Sequence, residues 1–108
     1  MGFIYLIVQV DISGVESWKI GVTKNNPNIR VKQLSTGNSN EIRLINFYES
    51  DNYKRIELQL HRTFASKQTQ SKNEWFNLSE SFIANFKEEC KKKDELISFL
   101  QENNYFFK

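Results

Sequence analysis

A single cysteine, Cys90, excludes an internal disulfide and a thiolate zinc site, and points to a reducing, intracellular setting. A single histidine, His61, has no second ligand at a standard spacing, which argues against a histidine zinc centre as well. There is no Gly-rich phosphate loop, no Ser/His/Asp order of a nucleophilic triad and no Cys-x-x-Cys pair. The apolar run Phe3 to Val8 has no basic leader, no small-residue cleavage site and too little length to span a bilayer, so it reads as a buried strand. Met1-Gly2 would suit a myristoylation signal, but Leu6 stands where Ser or Thr is required. One proline and a 26% charged fraction argue against disorder.

What is present is material for one core. Aromatics make up 14% of the 108 residues, nine of them phenylalanine, enough for a single domain without staples. The net charge of +2 hides an asymmetry: residues 17–72 hold ten bases and four acids, and no acid falls between Glu16 and Glu41. A positive middle suits a polyanion, although scattered surface lysines serve solubility equally well.

Strand composition runs from Phe3 to Val10 and again from Trp18 to Val22, with turn residues between them, which predicts an antiparallel hairpin. Asn25-Asn26-Pro27 starts a helix, with Asn as cap and Pro at the first helical position, and Thr36-Gly37-Asn38 stops it. Ile42 to Tyr48 predicts a third strand, and Asp51 or Asn52 caps a helix running to about Ser66. After a polar loop at 67–73 comes a short buried segment, Glu74-Trp75-Phe76. Ser79 then caps a third helix, which either breaks at Lys91-Lys92-Lys93-Asp94 or runs on through Leu100. The order β-β-α-β-α-α gives an α/β (α+β) fold: a small three-stranded antiparallel sheet flanked by helices.

Glu57 is the most informative position. At ~100° per residue from Tyr53, the apolar residues Ile56, Leu60 and Phe64 fall within about 60°, while Glu57 lies at roughly 40° and His61 at roughly 80°. A carboxylate inside an apolar stripe must be paired, protonated or bound to a metal. It either pairs with Arg30, Arg55 or His61, or it holds an ion. Tyr5 is either a half-buried strand aromatic or a phenol placed for proton transfer. In the second case it needs a neighbouring cation, because a free phenol titrates near ~10. Lys19 is that cation if the hairpin sets both side chains on one face; otherwise it is an exposed strand lysine. Arg30 lies at the edge of the helix face formed by Val31 and Leu34. It serves either to bind a phosphate or to pair with Glu41 or Glu49.

Taken in order, Phe3-Ile4-Tyr5, Lys19-Ile20-Gly21, Arg30, Glu57 and Glu74-Trp75-Phe76 resemble the GIY-YIG nucleases, and the string from Glu57 to Phe64 resembles their short stand-alone members from phages, viruses and mobile elements. Lys19 replaces the usual second tyrosine, as in some GIY-YIG restriction enzymes. The resemblance covers about residues 2–78, implying a catalytic module over 1–78 and a helical extension over 79–108 packed on the same domain.

That resemblance implies a DNA endonuclease using Mg²⁺, with Mn²⁺ as substitute. Glu57 would be the metal ligand, Tyr5 the general base, Lys19 the cation beside it and Arg30 the phosphate-binding group. Gly21, Thr23, Lys24, Lys32, His61, Arg62 and Lys67 would contact nucleic acid, with the basic ones framing one face, and Asn73 or Glu74 would orient a ligand. DNA is the expected partner and a membrane is not. Specificity is left to a homodimer, for which Tyr105-Phe106-Phe107 offers aromatics, or to a partner protein. The alternative is a module of the same fold that binds nucleic acid or regulates a partner without chemistry.

Overall fold

The structure is a computed structural model that describes residues 1–64, 75–76 and 78–102. Its elements are β1 (Gly2–Val10), β2 (Glu16–Thr23), α1 (Pro27–Ser35), β3 (Glu41–Ser50), α2 (Tyr53–Phe64), β4 (Trp75–Phe76), α3 (Glu80–Ala84) and α4 (Phe86–Glu102). The sheet order is β3-β1-β2-β4, every pairing antiparallel. The three expected strands form the sheet, and the segment at Trp75–Phe76 adds a two-residue edge strand opposite Trp18 and Lys19.

The hairpin closes through Asp11, whose carboxylate accepts the N–H groups of Ser13 (2.8 Å) and Val15 (3.0 Å). Helix α1 begins as its sequence predicts: the Asn26 side chain accepts the Asn28 N–H at 2.8 Å, and Pro27 occupies the first turn. It ends before Gly37, whose φ of 74° is the left-handed conformation that releases a helix.

β-strand alternation puts Ile4, Leu6, Val8, Ile20 and Val22 on one face of the sheet and Tyr5, Ile7, Lys19, Gly21 and Thr23 on the other. The first face carries the main core. Ile4, Leu6 and Ile20 pack against Tyr53, Ile56 and Leu60 of α2 and against Phe82, Phe86, Cys90 and Ile97 of the C-terminal helices. Each such apolar side chain taken out of water contributes roughly 1.5–3 kcal/mol. The second face is thin: Tyr5 and Ile7 meet Val31 and Leu34 of α1 and Ile42, Leu44 and Phe47 of β3. A register shift opposite Leu6 and Ile7 leaves Ile45 without a partner on β1, so Leu44 and Phe47 reach the same face despite their odd spacing.

Two local expectations are corrected. The C-terminal helices part at Asn85, not at the lysine run. Asn85 Nδ2 donates to the Ser81 carbonyl (2.9 Å), while the Asn85 carbonyl accepts the Glu89 N–H (2.9 Å) and starts α4. Lys91, Lys92 and Lys93 sit within α4, where Lys92 pairs with Glu89 one turn back (3.7 Å). The Asn52 side chain does not cap α2. It donates to Asp94 (2.8 Å) and Ser98 (3.2 Å) and accepts from Gln101 (3.3 Å), tying the start of α2 to α4, and Tyr48 donates to Asp94 at 2.9 Å. Burial and then the Asp94 carboxylate push the Tyr48 phenol up to about 12, and burial raises the Cys90 thiol to about 12. Cys90 is therefore a core residue without thiolate reactivity. Among the described residues no helix is long and apolar enough to cross a membrane.

Candidate active site at the edge of the second strand

Tyr5 lies directly across from Gly21, and only a glycine tolerates that placement. A Cβ built at residue 21 would collide with the Tyr5 Oη and Cζ atoms and come within 2.8 Å of Cε1. The phenol therefore lies over the backbone of β2, with its oxygen above Gly21 near the strand's outer margin. Tyr5 is 2% exposed, more deeply set than a strand tyrosine whose hydroxyl reaches the surface. Lys19 projects from the same face, diagonal to Tyr5 across the hairpin at a separation long side chains bridge. It is half-buried and makes no ion pair or hydrogen bond with another described side chain.

The side of α1 on which Arg30 lies follows from the handedness of the chain. Strands β2 and β3 both run antiparallel to β1, so they are parallel to each other, and α1 joins them as a crossover. Such crossovers are right-handed. With Pro27, Val31 and Leu34 turned toward the sheet, the helical wheel sets Arg30 roughly 70° to the side that faces β2. Glu41 pairs with Arg43 (3.5 Å), and no salt bridge joins Arg30 to Glu41 or Glu49. Both cations, Lys19 on β2 and Arg30 on α1, are half-buried.

Glu57 arrives from the other layer. Helix α2 packs on the main-core face, so the carboxylate does not share one concave surface with Tyr5, Lys19 and Arg30. His61 Nε2 donates to the Ile20 carbonyl at 2.7 Å, which fixes the flank of α2 that faces β2. Glu57 lies on that flank, one turn (~5.4 Å) nearer the Thr23 end of the strand and so level with Gly21 and Val22. Strand β4 pairs only with Trp18 and Lys19, leaving the margin from Ile20 onward without a strand partner among the described residues.

The remaining expected contacts divide. The Thr23 hydroxyl accepts the Asn25 N–H (3.2 Å), a turn contact at the entrance to α1. His61 is a tie between helix and strand, and its Nε2–H is spent on Ile20. The basic residues do not all frame one face. Lys32 is exposed on the solvent side of α1, and Arg62 is exposed half a turn from the buried stripe of α2, facing away from the sheet on the opposite layer from Lys19 and Arg30. Lys24 is exposed just past β2 and lines a pocket of about 470 Å³ with Lys54 and Arg55, two residues that the resemblance does not single out. Their signal in the sequence was a basic pair in the first turn of α2, visible only as helix surface. Lys67, Asn73, Glu74 and the tail aromatics Tyr105, Phe106 and Phe107 lie outside the described residues.

No curated protein and no solved structure matches this chain. A family profile does, over residues 2–94, from the first strand into α4. The chain belongs to the T5orf172 domain family, a domain of phage and mobile-element proteins related to nuclease-like folds.

Proposed function

We propose that this protein is a divalent-metal-dependent DNA endonuclease of GIY-YIG type. The observation that carries the reading is the Tyr5 phenol seated over Gly21, with Lys19 on the same face of the sheet and, among the described residues, in no salt bridge. Family membership supports a nuclease-like or nucleic-acid-binding role in general terms.

A metal fits this donor set. Among the described residues no three His, Cys, Asp or Glu side chains cluster, which disfavours an all-protein cage. Mg²⁺ commonly binds through one or two carboxylates, keeps several waters and takes substrate phosphates as further ligands. Glu57 would hold it, and the ion would supply neutralisation of the phosphate charge.

The chain's own residues do the rest. Arg30 binds the non-bridging oxygens of the scissile phosphate, whose charge grows as water attacks. Tyr5 accepts the proton of that water as the new P–O bond forms and the old one breaks, and the departing oxygen takes a proton from solvent. Lys19 favours the phenolate that this role demands. Gly21 leaves the room in which the phenol sits.

One observation favours a second reading, a binding module without chemistry: Tyr5 is nearly inaccessible. Cleavage of plasmid DNA with Mg²⁺ separates the two. The nuclease reading expects wild-type cleavage, none in Glu57→Gln, and a loss of roughly 10²-fold or more in Tyr5→Phe, with DNA binding retained in both. Full activity in Tyr5→Phe removes the general base. DNA binding without cleavage at any divalent ion establishes the binding module.

A further inference from the structure

A groove of about 530 Å³ opens on the main-core side of the sheet, between the first half of β2 and α3. Glu16 and Trp18 line it from the strand, and Leu78, Glu80, Ile83 and Ala84 from the segment that leads into and through α3. None of these six residues enters the site built around Tyr5. Strand alternation puts Glu16 and Trp18 on the face that carries Ile20, opposite to the face of Lys19.

The lining combines apolar side chains with two carboxylates. Leu78 is buried in the main core, and Trp18 and Ile83 are half-buried against it. Glu16 and Glu80 are exposed, and no basic residue lines the groove. Among the described residues neither carboxylate takes part in a salt bridge or a side-chain hydrogen bond, and the Trp18 indole N–H has no hydrogen-bond partner. An indole and aliphatic side chains beside two unpaired carboxylates suit a cation on an apolar stem. The ring face and the carboxylates attract the charge, and the stem lies on the aliphatic lining.

The same charges choose among occupants. DNA and an anionic membrane surface carry the sign of the groove and are repelled by it. A two-fold dimer of this chain built on the groove would set acid against acid, because an isologous contact presents the same patch from both partners. The occupant that fits is a different chain with basic residues. We infer that the groove between β2 and α3 docks a basic segment of a partner protein, one that sets an Arg or Lys side chain flanked by aliphatic residues against Trp18, Glu16 and Glu80. The groove lies on the layer opposite Lys19, so a docked segment leaves the Tyr5 face open, and the inference does not depend on whether the chain cleaves DNA.

The test is an amide and indole NMR titration of the full chain with a capped tripeptide of sequence Leu-Arg-Leu, with Leu-Gln-Leu in parallel; Trp18→Phe assigns the indole signal. Leu-Arg-Leu is expected to shift the Trp18 indole N–H and the amides of Glu80 and Ile83 saturably, in the millimolar range or tighter. Leu-Gln-Leu should bind roughly fivefold to tenfold more weakly. The Glu16→Gln/Glu80→Gln double variant, whose two positions are exposed and leave the core untouched, should lose the preference for the arginine peptide. No saturable indole shift with Leu-Arg-Leu overturns the inference. Equal binding of the two peptides to wild type, or an unchanged preference in the double variant, reduces the groove to apolar surface and overturns it as well. An indole shift that grows with the concentration of the chain alone gives the groove to a second copy, and one produced by a short DNA duplex gives it to nucleic acid; either result overturns the basic partner.

Discussion

The two faces of the sheet are built for different purposes. The face toward α2 and α4 joins eleven buried residues from strands, helices and the Leu78 segment, with aromatic edges meeting at Phe64–Phe82 (4.6 Å) and Phe82–Phe86 (6.1 Å). The face toward α1 carries a smaller buried cluster, Tyr5 and Ile7, and among the described residues no helix covers the β2 strip of Lys19, Gly21 and Thr23. Adjacent residues of one strand, Leu6 and Tyr5 or Ile20 and Gly21, thus belong to different economies. One face stabilises the fold through apolar area. The other keeps Lys19 and Arg30 half-exposed and a phenol buried, an arrangement that the proposed nuclease reading would use to meet a phosphate.

The sharpest way to break this division is to damage one face and look for an effect on the other. Leu6→Ala empties a fully buried site on the thick face and should cost about 2–5 kcal/mol, read as a lowered melting temperature. Below that temperature its cleavage rate per folded molecule should match wild type. A rate loss larger than the unfolded fraction accounts for would show that the faces are coupled. Gly21→Ala attacks the thin face. Its methyl group would strike Tyr5, and relieving that contact should cost about 1–3 kcal/mol while moving the phenol, so the activity loss should rival that of Tyr5→Phe. Gly21→Ala with undiminished cleavage would mean that the phenol's position does not matter.

High pH probes two groups of the thick side and gives the smallest effect. Folding raises the affinity of the Cys90 thiol and the Tyr48 phenol for their protons, from 9.0 and 10.0 respectively to about 12. Stability from these groups is whole below the unfolded values and declines as pH rises through them toward 12, because the unfolded chain loses the protons first. The melting temperature should fall between pH 9 and 12, and Tyr48→Phe should flatten the part that begins near pH 10. An unchanged curve in Tyr48→Phe would assign the decline elsewhere.

Periodicity and turn chemistry made much of this protein legible in its sequence. The hairpin, the Asn26–Pro27 start of α1, its stop at Gly37 and the apolar stripe of α2 are all signals within a few residues of the element they specify, and each stands in the structure. That Tyr5 and Lys19 share a face was conditional in the sequence, and the observed hairpin register, with Tyr5 opposite Gly21 and Ile7 opposite Lys19, decides it. The resemblance singled out Glu57, but helix geometry could say only that its carboxylate lies beside an apolar stripe.

Tertiary structure decided what lies across from what. The unpaired Ile45 lets Leu44 and Phe47 share a face, which alternation along β3 alone denies. Asn52 forgoes its local capping bond because α4 offers Asp94 and Ser98, residues more than forty positions away. The right-handed crossover sets the side of α1 on which Arg30 lies, and the bond from His61 to the Ile20 carbonyl turns one flank of α2, the one that carries Glu57, toward β2. Local sequence sets dihedrals and which side of an element is apolar. Which layer each element joins, and which flank it turns to the sheet, depends on chain handedness and long-range hydrogen bonds, and these exist only once the core has closed.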